Sequence, residues 1–349
     1  MPPRLSTLDW VNKVDGFPIL DKEPLRHTEE MKRLYTMVWK DTQGIFPIGY
    51  VPLSVLEALE ATPENIRGPM EVDHEARTIL LFQEPTTEAE RTQLVGRLTA
   101  HWRQNQTFRM LKGWRDELWP VYGRNGELLY SIERVAMGLF GNARFGVHMV
   151  AFVRNNGDDG AKSQYDLRIW VPKRSATKTS YPGMLDNTAA GGLMTDEDPL
   201  ECIMREADEE ASLPEAYMRQ HIKQVGTITY IYITDERAGG EPGWIYPECQ
   251  WLYDLELPAD ESITPRPKDG EVESFSLRTV EEVQEQLAQG MWKPNCALVM
   301  LEFFARHGIL TPENDPHYAE LNARAHRFIP FPGPHWPDWE HVTPPQRKS

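Results

Sequence analysis

The chain has 349 residues, 26% of them Asp, Glu, Lys or Arg, and a formal net charge of −16 at pH 7. That balance argues against nucleic acid as a partner, because phosphate backbones need basic stripes, and it disfavours docking on anionic membranes. No run approaches the ~18 apolar residues of a spanning helix, and neither an apolar leader nor an Arg- and Ser-rich transit segment is evident, so a cytoplasmic protein with room for two domains is expected.

Residues 1–140 read as a small α+β accessory domain. Helical spacing covers 54–60 and 88–104, the second with Leu94, Leu98, His101 and Trp102 on one face. Residues 77–82 read as a strand. Two more strands are expected at 118–122 and 128–132, joined by the hairpin signal Gly123-Arg124-Asn125-Gly126. A helix over 135–140 stops at Gly141. Nothing here carries a catalytic signature.

A second, α/β domain is expected over 141–311. Apolar strands at 147–153 and 167–172 flank a loop, Asn155-Asn156-Gly157-Asp158-Asp159-Gly160. Strands follow at 224–234, 248–257 and 271–277, then helices at 280–289 and 296–307. The Pro-, His- and Trp-rich remainder, 312–349, has no clear periodicity and reads as a tail wrapping along the surface. Cys202, Cys249 and Cys296 are odd in number and widely spaced, so buried thiols are the expectation rather than disulfides or a zinc knot.

The chemistry is concentrated between the strands. Gly191, Glu197, Arg205, Glu206, Glu209 and Glu210 stand in the order G-x5-E-x7-R-E-A-x-E-E. Asp198 suits an N-cap, Pro199 the first helical position, and Glu201 completes an Asp-x-x-Glu capping box. Leu200, Ile203, Met204 and Ala207 supply an apolar stripe. On that helix Glu206, Glu209 and Glu210 share a face. Clustered carboxylates repel unless a cation neutralises them, and Mg²⁺, which prefers carboxylate and phosphate oxygens together, suits them. The bland alternative is a solvated acidic face. Zinc chemistry is unsupported, since ten histidines show no H-E-x-x-H spacing. Gly239–Gly243 forms a turn cluster rather than a phosphate loop. His148 reads as a core histidine, and Trp114, Trp244 and Trp251 read as core rather than stacking platforms.

This stretch resembles the Nudix hydrolases, whose box is G-x5-E-x7-R-E-U-x-E-E-x-G-U with U bulky and apolar. Ala207 is small for U, and Ser212 stands where the box has Gly. The resemblance implies an α/β/α sandwich with a mixed sheet, preceded by the small α+β domain. It is similar in particular to a fungal and plant branch fused, in some members, to thiamin pyrophosphokinase. The segments carrying that likeness are Trp170–Lys178, Tyr181–Asn187, Ala190-Gly191-Gly192, Asp269-Gly270-Glu271-Val272 and Lys293–Val299, with Leu139-Phe140-Gly141 and Gly146-Val147-His148 upstream.

The resemblance implies cleavage of thiamin diphosphate, or of its damaged oxo and oxy analogues, to the monophosphate. The alternatives are a pyrophosphatase for ADP-ribose or a nucleoside diphosphate derivative, and a non-catalytic diphosphate binder. Mg²⁺, with Mn²⁺ as a substitute, would be held by Glu206, Glu209, Glu210 and the Ala190 carbonyl, with Glu206 as ligand or general base. Arg205 would orient a neighbouring glutamate, Gly191 would admit close backbone approach, and Glu197 would brace the helix entry. Glu271 and Glu273 are candidates for a further acid, and Lys173, Arg174 and Lys178 for phosphate contacts. A monomer or homodimer fits a small-molecule substrate.

Overall fold

The structure, a computed structural model, describes residues 4–154, 164–238 and 240–334. The loop expected at 155–160, Gly239 of the turn cluster and the last part of the tail lie outside these residues.

Helices α1 (Thr7–Val14) and α2 (Pro24–Met31) lead into β1 (Leu34–Asp41) and β2 (Gly44–Pro52). Then come α3 (Leu53–Ala61), α4 (Glu64–Arg67), β3 (Met70–Asp73), β4 (Thr78–Leu81) and α5 (Glu88–Gln104). The four strands form one sheet in the order β2-β1-β4-β3, with β1 and β4 parallel. Thr87 and Glu90 close a reciprocal capping box at the start of α5, and Leu94, Leu98 and Trp102 face the core from it. His101 is only half-buried, beside Asn105. Trp102 keeps its buried N–H satisfied by donating to Thr62 Oγ1 at 3.0 Å. Strands β5 (Leu118–Tyr122) and β6 (Leu128–Glu133) make a separate antiparallel hairpin, and α6 (Met137–Phe140) ends at Gly141 with φ 56°. A side chain at Gly141 would overlap the Tyr50 backbone, so this turn needs glycine twice over.

The second unit runs β7 (Arg144–Arg154), β8 (Leu167–Arg174), β9 (Ala189–Gly192), α7 (Pro199–Ala211), α8 (Glu215–His221), β10 (Ile222–Ile233) and β11 (Ile245–Glu256). It finishes with β12 (Val272–Thr279), α9 (Val280–Ala288), α10 (Pro294–Arg306) and α11 (Tyr318–Arg324). Its mixed sheet has the order β10-β11-β7-β8-β12, with β9 added antiparallel on β7 and β11 parallel to β7. Alternation along β7 divides the core. Val147, Met149, Ala151 and Val153 pack with Cys202, Ile203 and Ala207 of α7, whereas Val150 and Phe152 pack with Val299, Phe303 and other residues of α10. The result is a three-layer α/β/α sandwich of the kind expected. All three cysteines are buried and unpaired, and Trp244 and Trp251 belong to the core. Trp114 is half-buried against it and donates to Asp116.

Two segments depart from the expected division. Helix α1 does not belong with the accessory domain: Trp10, Val11 and Val14 pack among α9, α10 and α11. The part of the tail described here is anchored rather than draped. Arg324 and Arg327 both reach the buried Asp15 carboxylate at 2.9 Å, and Phe331 is buried against Tyr50. Sequence spacing missed this because the partners lie some three hundred residues apart and only the sandwich brings them together. Among the described residues no helix is long and apolar enough to cross a membrane.

Candidate active site

Helix α7 begins as its sequence dictates. Asp198 accepts from the backbone N–H of Leu200 at 2.8 Å and of Glu201 at 3.4 Å, and Pro199 fills the first turn. The expected capping box does not close, because the Glu201 carboxylate turns away to Arg219 at 2.7 Å. The helix ends on Ser212, which takes the left-handed φ of 52° that glycine would adopt without strain.

Strand β9 lies beside α7, and the two are fitted by the absence of side chains. A Cβ at Gly191 would overlap the Glu206 carboxylate, and one at Gly192 would overlap the Trp119 ring. Alternation thus turns Gly191 toward α7 and Gly192 toward the hairpin of the first unit. The hairpin is fixed to the loop after β9: the Thr195 N–H donates to the Leu118 carbonyl at 2.9 Å, and Thr195 Oγ1 donates to Ser131 Oγ at 2.9 Å.

Arg205 organises the acids. Its Nε and Nη2 donate to the two Glu197 oxygens at 2.8 and 3.1 Å, and its Nη1 donates to Glu206 at 2.8 Å and Glu209 at 3.3 Å. Glu197 also accepts from the Met194 N–H, so the pair ties the loop to the helix. Glu210 is buried and accepts from the Ala190 N–H at 3.1 Å. Glu209 stands half-exposed at the rim. Burial pushes the Glu206 carboxyl above its usual range, and the Arg205 guanidinium only partly offsets this. Burial, followed by the nearby Asp186 and Glu206 charges, pushes Glu210 up as well.

Carboxylates under this strain form a donor set suited to a hard divalent ion: all oxygen, anionic, and beside a main-chain segment that no side chain obstructs. Among the described residues the acids are not gathered on one point as an ion would gather them, because Arg205 holds Glu206 and Glu209. The residues therefore fit a metal in chemistry, with Arg205 standing as their counter-charge.

The other sequence candidates separate into two groups. Lys178 pairs with Glu271 and feels the Glu210 and Asp186 charges, so Lys178 and Glu271 stand at the acid cluster. Glu273 does not; it pairs with Lys173 at 2.9 Å, both being about half-exposed. Nor is Arg174 free to meet a phosphate. It is buried, donates to Asp186 and to the carbonyls of Ser180 and Tyr181, and so braces the 174–186 loop. Burial alone would raise the Asp186 carboxyl, but Lys293 and Arg174 hold it well below the usual range.

A cavity of about 540 Å³ adjoins the cluster, and it was not foreseen. Its wall nearest the acids is the Ala190–Gly192 backbone; the three glutamates lie beside it rather than in it. Arg109, Lys112, Arg115, Arg134, Arg144 and Lys293 line it against a single acid, Glu248. Arg134 is paired with Glu117 at 2.9 Å and Arg144 with Glu248 at 3.2 Å, which leaves an excess of cations on this wall in a chain of net charge −16, and the surface favours an anion. Arg134 joins cavity and cluster, since its charge also acts on Glu206. His148 lies on the floor, with Nδ1 2.8 Å from Asn187 Oδ1; burial and the Lys293 charge depress it to about 4, so it is neutral at physiological pH. These residues come from both units and from several separate stretches of chain. No spacing rule unites them, although Lys293 and His148 lay within the segments that carried the family likeness.

Comparison with known proteins agrees with this two-part architecture. Residues 27–144 match a domain of unknown function (DUF4743), and residues 145–298 match the NUDIX domain. The chain is 35% identical to the Saccharomyces cerevisiae "Uncharacterized protein YJR142W", over 94% of this chain and 92% of that one. It is 36% identical to "Nudix hydrolase 20, chloroplastic" and 34% identical to "Nudix hydrolase 24, chloroplastic", both of Arabidopsis thaliana, over 62% of this chain in each case. The matches cover 53% and 54% of those plant proteins, so the chain spans about half their length.

Proposed function

Because residues 145–298 match the NUDIX domain, we propose that the protein is a Mg²⁺-dependent hydrolase that converts thiamin diphosphate, or its oxo and oxy analogues, to the monophosphate. The observation that carries the reading is the cavity beside α7, which six cations and one acid line in an otherwise acidic protein. Glu206, Glu209 and Glu210, with the Ala190 carbonyl, would hold the ion, and Mn²⁺ would substitute. When bound, such an ion neutralises non-bridging phosphate oxygens and acidifies water.

The chain's own groups do the rest. Arg205 holds Glu206 and Glu209 in position, and a bound divalent ion would take its place as their counter-charge. Glu271, joined to Lys178 next to Glu210, is the better placed of the two further acids to accept a proton from the attacking water. The cations of the cavity hold the diphosphate in line. A thiamin-type organic group is favoured by Tyr181, Tyr230, Tyr232 and Tyr246, aromatic side chains that line the cavity and suit a cationic heteroaromatic ring. The likeness of segments 170–178 and 181–187 to the thiamin-linked branch points the same way.

The test is turnover of a diphosphate panel with Mg²⁺. Release of orthophosphate and a thiamin monophosphate product supports the proposal. AMP with ribose phosphate from ADP-ribose would replace the substrate class, and saturable binding without product would make the protein a binder. Glu209→Gln should lower turnover by roughly two to three orders of magnitude while leaving the fold intact, since Glu209 is half-exposed and, among the described residues, pairs with Arg205 alone.

A further inference from the structure

The hairpin β5–β6 lies outside the NUDIX domain, yet it builds part of the cavity wall. Trp119 is 4% exposed and lays its indole over Gly192. Two guanidinium groups flank the ring, Arg134 at 5.2 Å and Arg144 at 4.9 Å from its centroid. Among the described residues the buried Nε1–H of Trp119 has no hydrogen-bond partner. Nor has Nε of Arg144, whose Nη1 is spent on Glu248 at 3.2 Å. Both residues line the cavity.

Native structures seldom keep a buried donor without an acceptor, and a pair of them on neighbouring side chains in one cavity wall calls for a single oxygen-rich partner. The charge of the wall selects its sign. An indole N–H is donor only, a guanidinium is donor only, and the cations lining the cavity outnumber Glu248 and the Glu117 that pairs with Arg134, so the acceptor is an anion. Rings held between guanidinium groups are already oriented and lose little freedom on binding.

We propose that Trp119 Nε1 and Arg144 Nε bind phosphate oxygens of the substrate, so that the DUF4743 domain supplies a subsite of an active site whose acids lie on α7. The inference rests on the diphosphate reading above and adds the residues that receive one of its phosphates. Trp119 is the specificity-determining member: Phe in its place keeps a ring over Gly192 and removes only the donor.

The probe is inorganic pyrophosphate, titrated without divalent metal so that the glutamates contribute nothing, into the full chain carrying ¹⁵N-labelled tryptophan. The indole resonance absent from Trp119→Phe identifies Trp119. It should move on titration in the wild-type protein, and the Kd for pyrophosphate should rise roughly fivefold to tenfold in Trp119→Phe. Arg144→Lys, which keeps the charge and loses the Nε donor, should weaken binding similarly and serves if the first variant does not fold. An unmoved indole resonance, an unchanged Kd in either folded variant, or no pyrophosphate binding by the wild type would overturn the proposal. The two readings fail separately. Pyrophosphate binding with the expected shift but no turnover of any diphosphate removes the hydrolase and leaves the subsite; normal turnover with unchanged KM in Trp119→Phe removes the subsite and leaves the hydrolase.

Discussion

The carboxylate of Glu206 rests against the α-carbon of Gly191, in the space that any side chain at that position would fill. The backbone φ of Gly191 is not in the left-handed region, so the requirement is for room and not for conformational freedom. Gly191→Ala should therefore displace the flexible end of Glu206 rather than break the strand. We expect turnover to fall by about a hundredfold or more with the melting temperature little changed, as small misplacements of a positioned group cost that much. Activity within a few fold of the parent would mean that Glu206 needs no fixed place.

Arg205 donates to three carboxylates at once and grips one of them, Glu197, with a planar two-nitrogen fork that an ammonium lacks. Arg205→Lys should keep the net charge and lose the fork to Glu197. Turnover should drop by at least tenfold, and the loop at 192–198 should exchange amide hydrogens faster. Hydrogen exchange of that loop, compared between parent and variant, checks the second half independently of any substrate.

Ser212 holds φ 52°, a conformation that costs a residue with a Cβ of the order of 1 kcal/mol. Ser212→Gly restores the residue of the family box and should raise stability by roughly 0.5–1 kcal/mol, less the extra chain entropy of glycine. Denaturant midpoints read this directly. A lower midpoint for the glycine variant would show that Ser212 is not strained in solution.

His148 gives a pH signature. Its folded value, about 4, lies below the 6.5 of an exposed histidine, so the unfolded chain binds a proton there that the folded chain refuses. The contribution is present above pH 6.5 and is lost as pH falls toward 4. Stability should decline over that window by about 3 kcal/mol from this group. His148→Gln should flatten the decline; an unchanged slope between pH 6.5 and 4 would mean that His148 is protonated without cost.

The box helix was legible because its information is local. Asp198 and Pro199 set its start, the apolar stripe its buried face, and the acids their common side, and each of these acts within a few residues. The strands 147–153 and 167–172 were legible for the same reason. The Glu201 cap was misjudged because Arg219, from the next helix, outbids a helix terminus for the carboxylate. Arg174 looked available until its Asp186 partner, twelve residues on, was brought against it in a buried pair. The cavity is a different case. Trp119, Arg144 and Lys293 acquire a joint meaning only when a hairpin, a strand and a helix N-terminus converge, and no linear pattern records that.

Asp15, clasped by Arg324 and Arg327, has one more consequence. The matched regions together run from 27 to 298, yet Trp10 and Val14 on one side and Leu321 and Phe331 on the other are buried outside those limits. A shortened protein cut to the matched span would bare the back of α10 and leave a sheet face wet. Solubility, rather than catalysis, should be the first property to fail, and the flanks are best regarded as the outer masonry of the sandwich.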